Sequence, residues 1–461
     1  MKCHIQRASV YQLIPENVFQ NFNAIEDSIG PTIKGYSPDY LKEVISIVAC
    51  HVRKDDGAAQ LQMTYIKKLV PQGDKYMKGL IKQGIIIRSG NAIIGQTSYK
   101  YSFAPAYQSK YKSLPLLNGK LQRRIEKVHA QFKKVAPKSI RGRSEQTKYL
   151  KLLTIDEGYK AFIQANYTIE TDQYNYIVAS ATRIINAAIF YRVDNTSNRF
   201  HSNITIMPKG LREYLRIKGE PLANLDIKNS QPYLSTIILT NPGKVSWMTK
   251  NPAFAMLLQT LKVSLSQDVK NYISLVISGQ LYEYLMDEFS KEGLVLTRDE
   301  TKEQVLRILF ARNRMPKDET NKKCRLIFKN RFPKVHRIFS KVRGSEKGDH
   351  FTNFKRFSIL LQSVESYLIL DIILKRIYKE LPGTIAITIH DSIMTGVLTN
   401  NVEAVHKIMT DELTSFIGYA PEIKIDNNNI HKYKGIERKG ERTNPYQYDA
   451  TTFGSISISI N

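Results

Sequence analysis

The chain has 461 residues, 42% of them hydrophobic, and carries 68 Lys and Arg against 42 Asp and Glu, a formal charge of +26 at pH 7. That length implies two to four subdomains at roughly 100–200 residues each, and the charge implies a polyanionic partner. Apolar runs such as Tyr233 to Leu239 fall short of the ~20 residues a membrane span needs, and the first ten residues lack an apolar signal core. Three widely separated cysteines (Cys3, Cys50, Cys324) form no disulfide framework and no zinc spacing, so a reducing cytoplasm is expected.

Residues 1–35 show no strong period. LKEVISIVACHVR (41–53) repeats apolar residues at helical spacing. MTYIKKLV (63–70) and KYMKGLIKQG (75–84) read as two helices joined at Pro71 and Gly73. IIIRSGNAIIG (85–95) then reads as a β-hairpin, and SYKYSFAPAY (98–107) as a third strand. Helices followed by a hairpin in this order resemble a winged helix. Its recognition helix would run from Asp74 to Gln83 and expose Lys75, Lys78 and Lys82 to duplex DNA; the alternative is a small α/β unit with solvated lysines. Residues 120–143 are a basic helix-like stretch running into a Pro, Ser and Gly break, and 144–190 read as helices. Beyond Asn427 the chain is polar with few apolar anchors, and a poorly ordered tail is expected.

Chemistry concentrates in three stretches. PLANLDIKNSQPYLSTIIL (221–239) reads as a short strand ending in Asp226, then a helix-like apolar run. GTIAITIHDSIMTGV (383–397) reads as a hairpin with His390, Asp391 and Ser392 at its turn. Two strand-borne aspartates in one sheet would offer carboxylate oxygens to hard cations, although an Asp at a turn is also an ordinary turn former. In TRDETKEQVLRILFARNR (297–314), Arg298, Lys302, Leu306 and Phe310 recur every four residues, about 400° of helix per step. Such a face could hold a triphosphate on its cations and a base or sugar against Phe310; an ordinary amphipathic helix is the alternative.

Together these stretches resemble the family A (polymerase I-like) DNA polymerases from about Asn198 to Asp426, in order. Asn198 and Arg199 look like that family's Gly-Arg pair, Asp226 with Ser230 and Gln231 resembles motif A, and Arg298, Lys302 and Phe310 reproduce the spacing of motif B. FKNRFPKVHRIFSKVR (328–343) is similar to the fingers segment that follows. Gln362 resembles the glutamine opening the next palm helix, and His390 with Asp391 matches motif C. The resemblance implies an α+β right-hand polymerase of palm, fingers and thumb with an antiparallel palm sheet. The implied plan is a winged-helix-like domain at 1–115, a basic linker and helical thumb at 116–190, palm at 191–245 and 346–430, fingers at 246–345 and a flexible tail at 431–461.

By the same resemblance Asp226 and Asp391 bind two Mg²⁺ ions, with Mn²⁺ as a substitute. Arg298 and Lys302 hold the triphosphate, and Lys302 also protonates the pyrophosphate. Phe310 and Gln231 line the nucleotide pocket, while Arg199, Gln362 and His390 contact primer or template. Implied partners are a DNA primer-template and dNTPs, for a monomer in a bacterial or phage-infected cytoplasm. The sequence departs from the family at Gln231, where a Glu excludes ribonucleotides, and at Ser392, where DNA polymerases carry Glu. His-Asp-Ser is closer to the single-subunit RNA polymerases, but Phe310 lacks the hydroxyl they use to select ribose. DNA synthesis is therefore expected, without a proofreading exonuclease, in a phage or mobile element. Two alternatives stand beside it: an RNA polymerase-like enzyme, or a non-catalytic DNA-binding replication initiator.

Overall fold

Two hydrophobic cores organise the chain, one built between Val10 and Val128 and the other between Leu150 and Ile423. The computed structural model describes residues 10–53, 56–91, 98–134, 144–169, 171–344, 355–397 and 401–426. The expected tail at 431–461, the break at 135–143 and Cys3 lie outside these residues.

In the first core, the strand β1 (Tyr11–Pro15) is followed by the helix Pro38–His51, β2 (Ala59–Gln60), the helices Met63–Leu69 and Gly73–Lys82, β3 (Ile86–Ser89), β4 (Lys100–Phe103) and β5 (Tyr111–Pro115). β2, β4 and β3 form an antiparallel sheet in that order. β3 pairs with β4, Ile86 opposite Phe103, and β2, which precedes the helices, pairs with the other edge of β4; the second arm of the hairpin expected inside 85–95 lies outside the described residues. Lys75, Lys78 and Lys82 are exposed on their helix, whose Tyr76, Met77 and Leu80 are buried. β1 pairs with β5, Tyr11 opposite Pro115, a contact the aperiodic start of the chain did not announce. The basic helix Gly119–Lys134 places Leu121, Ile125 and Val128 in this core at i, i+4 and i+7 spacing.

The helix Asp172–Ile185 joins the two cores, with Ala179 facing one and Ile177, Ala181 and Ile184 the other. Asn186, just after it, makes a reciprocal pair of hydrogen bonds of 2.8 and 2.7 Å with the backbone of Tyr11. The stretch 144–190 is not wholly helical, because β6 (Leu153–Ile155) pairs with β9 (Leu215–Ile217). Between them lies the ribbon of β7 (Tyr191–Val193) and β8 (Phe200–Ser202).

The central sheet runs β11 (Ala386–Ile389), β12 (Ser392–Gly396), β10 (Glu220–Ile227), β9, β6, with β13 (Ile423–Asp426) also on β10; all pairs are antiparallel. Side chains alternate along β10: Leu225 and Ile227 are buried, while Asn224 and Asp226 are only half-buried on the other face. Residues opposite one another share a face, so Lys424 and Asp426 of β13 join Asp226 and Asn224 there. Helical structure is continuous from Arg356 to Glu380, with a π-helical stretch at Tyr367–Ile373. These 25 residues are long and apolar enough to cross a membrane, which the short runs seen in the sequence did not suggest. Yet 67% of their most apolar window is buried inside the protein, as befits a core helix.

Candidate active site

β10 and β12 bring together residues more than 160 positions apart: Asp226 lies opposite Ser392, and Asp391 immediately precedes Ser392 in the two-residue turn from β11. The turn is tight enough to put His390 in the left-handed region at φ 53, a conformation non-glycine residues seldom adopt. Both aspartates are half-buried. Among the described residues no hydrogen bond or ion pair engages either carboxylate. Burial and then the neighbouring Asp391 push the Asp226 carboxyl up to about 6, with Lys209 and Lys302 pulling it back. Two like charges held near each other without protein partners form a site with unmet demand for cations.

No group of three or more His, Cys, Asp or Glu able to hold a metal occurs among the described residues. The donor set is therefore a carboxylate pair, which suits Mg²⁺, an ion that keeps several waters and takes substrate phosphates. Several cations lie near the pair: Lys209 and Lys302, whose charges reach Asp226, Lys424, opposite Asp226 on β13, and Arg212, whose half-buried guanidinium senses both aspartates. Lys302 is exposed on the helix Arg298–Phe310, which begins with a capping box between Thr297 and Glu300. Arg298, on the first turn, is not free: Glu283 holds it at 2.7 Å, and it lies 5.4 Å from the Tyr282 ring centre. Phe310 ends that helix half-buried, its ring 6.0 Å from Phe357.

Glu365, which no motif in the sequence marks, organises a second cluster. It is 1% exposed, accepts bonds of 2.8 and 2.7 Å from Arg199 and one of 2.6 Å from the Gln231 amide. Burial and then Asp391 push its carboxyl up to about 7, against the pull of Arg199; the two-pronged guanidinium contact argues for the ionised form. Gln362 is half-buried one turn earlier on the same helix face. Arg199 is aimed by its loop: Asn198 takes φ 58, the conformation a glycine would adopt freely, and Asp194 accepts bonds from the backbone of Thr196, Ser197 and Arg199.

His390 faces His201 edge-on at 5.2 Å, and its Nδ1 is buried without a partner among the described residues. Burial and the nearby Arg199 drive it down to about 4, so the ring is neutral at pH 7. Buried polar atoms of Asn224, Asn229, Ser230 and Gln231 also lack partners. Each such atom costs about 1–3 kcal/mol unless something else satisfies it, and these lie on β10 and at the start of the helix Ser230–Thr240 that follows it. The structure thus gathers Asp226, Asp391, Lys302, Arg199, Gln231, Gln362 and His390 around one sheet end, while Lys75, Lys78 and Lys82 sit on the first core.

No protein-family model and no curated protein matches this chain. Among solved structures, the POL domain of Pol1 from M. smegmatis, in complex with DNA primer-template and dNTP, is similar at 9% identity and TM-score 0.30. The match covers 66% of this chain and 64% of that one, less than two thirds of its length. So low a score carries no argument, and the functional reading rests on the site.

Proposed function

We propose that the chain is a template-directed DNA polymerase that joins dNTPs to a primer 3′-hydroxyl. One observation carries this reading: two unpartnered carboxylates, Asp226 and Asp391, are brought to one sheet end from distant parts of the chain, with Lys302 in charge reach. These residues fit a pair of Mg²⁺ ions, which would stabilise the attacking and leaving oxygens of an in-line phosphoryl displacement. Lys302 neutralises the triphosphate and holds a proton for the departing pyrophosphate. Arg298 joins it by exchanging Glu283 for phosphate oxygens. Gln231, fixed by Glu365, and Phe310 line the nucleotide pocket, while Arg199 and Gln362 contact the primer-template. Neutral His390, with an open ring nitrogen, supports the primer end.

A second reading, a DNA-binding replication initiator, is favoured by the N-terminal unit, whose three exposed lysines share one helix. Extension of a labelled primer on DNA and RNA templates with Mg²⁺ separates the two. Deoxynucleotide extension that disappears in Asp226→Ala supports the polymerase. Preference for ribonucleotides moves the chain to RNA synthesis, and tight DNA binding with no incorporation leaves the initiator.

A further inference from the structure

Trp247, the only tryptophan in the chain, is 63% exposed. A Trp left this open is usually mobile or covered by a partner, but this one is pinned. Its indole N–H donates to the Lys244 carbonyl at 3.1 Å. Its ring stands edge-on to Tyr367 at 5.1 Å and 83°, and Tyr367 rests on Phe416 at 6.0 Å. Lys244 lies 4.5 Å from the Phe416 ring centre and donates to the Phe416 carbonyl at 2.7 Å. With its polar atom satisfied and one side against Tyr367, Trp247 still leaves most of its ring surface open.

The surroundings point to what that face receives. From Ile227 to Gln267 the chain contains no Asp or Glu, but it contains Lys228, Lys244, Lys250 and Lys262. Lys244 and Lys250 flank Trp247 three residues away on either side, and both are exposed. Asp371, one turn beyond Tyr367, is paired with Lys375. An aromatic plate in an acid-free, lysine-bearing stretch is the combination that binds single-stranded nucleic acid, the cations following the backbone while a base stacks on the ring. Tyr367 lies two residues past Glu365, about 200° around the helix at ~100° per residue, so the plate stands on the opposite flank of that helix from the Glu365 cluster.

We propose that Trp247 is a stacking platform for unpaired bases of single-stranded nucleic acid, outside the candidate active site. The inference extends beyond nucleotide addition and does not require it. Because the chain has one tryptophan, its emission reports the contact directly. Oligo-dT is titrated into the full-length protein in EDTA, reading tryptophan fluorescence, and a labelled oligonucleotide is titrated with Trp247→Ala and Trp247→Phe by anisotropy. Stacking predicts quenched emission, on the order of 5- to 150-fold weaker binding for the alanine variant, and affinity near wild type for phenylalanine. Binding without quenching, unchanged affinity in Trp247→Ala, or no binding at all overturns the platform; a surface that docks protein gives the first or the last of these. Primer extension without quenching would retire the platform and leave the polymerase standing. Quenching in a protein that extends nothing would do the reverse.

Discussion

Replacing Asp226 with asparagine should make the protein more stable while removing its activity. The Asp226 carboxyl is lifted from an ordinary 3.8 to about 6 by burial and by Asp391, so ionising it in the folded chain costs about 3 kcal/mol at 1.36 kcal/mol per tenfold change. The sign follows from linkage: a raised folded value means that the stability tied to this group is complete below 3.8 and is lost as pH rises through about 6. Asp226→Asn, nearly isosteric and uncharged, should match wild type near pH 4 and gain up to about 3 kcal/mol above pH 7. With unfolding entropy of about 2.1 cal/mol/K per residue, 461 residues melting as one unit would turn that into a rise of about 3 °C. Thermal melts at pH 4 to 8, with and without millimolar Mg²⁺, read both halves of the argument. Mg²⁺ should raise the wild-type melting temperature at pH 7.5 and leave the variant nearly unmoved. A variant that melts below wild type at pH 7.5 would mean that Asp226 is a structural partner, and the reasoning would fall.

Three further outcomes follow. Glu365→Ala strands the Arg199 guanidinium and should cost about 3–5 kcal/mol in denaturant unfolding, most of it recovered in Glu365→Leu with Arg199→Met; an unaffected single variant would show the pair to be incidental. Glu283→Gln should release Arg298 and lower the dNTP KM several-fold at constant kcat, while Arg298→Ala raises it, both read in steady-state extension. Alanine at Lys75, Lys78 and Lys82 should flatten the salt dependence of duplex binding by about 2.7 in log–log slope, at roughly 0.9 per lost phosphate contact; an unchanged slope would clear that helix of DNA contact.

What was legible in the sequence was local. The short run LANLDI, which carries Asp226, announced β10, the apolar and β-branched residues around Asp391 announced the β11–β12 hairpin, and the four-residue period marked the helix of Arg298 and Lys302. Glu365 was not legible, because it sits in an apolar helix and its meaning comes from Arg199, 166 residues away. Arg212 and Lys209 likewise enter the site only because the short helical turn Lys209–Tyr214 precedes β9 in the fold. The pairing of β1 with β5 was hidden because its two strands lie about a hundred residues apart and neither carries a strong period. The pairing of Ile86–Ser89 with Lys100–Phe103 was not legible, because the residues between them are too many for a tight hairpin turn.

The most direct test is single-nucleotide incorporation against Mg²⁺ concentration for wild type, Asp226→Asn and Asp391→Asn, with primer-template affinity measured on the same preparations. Incorporation that needs Mg²⁺ and vanishes in both variants, with DNA affinity kept, is the predicted result. Incorporation that survives either substitution would contradict the proposed role of the aspartate pair.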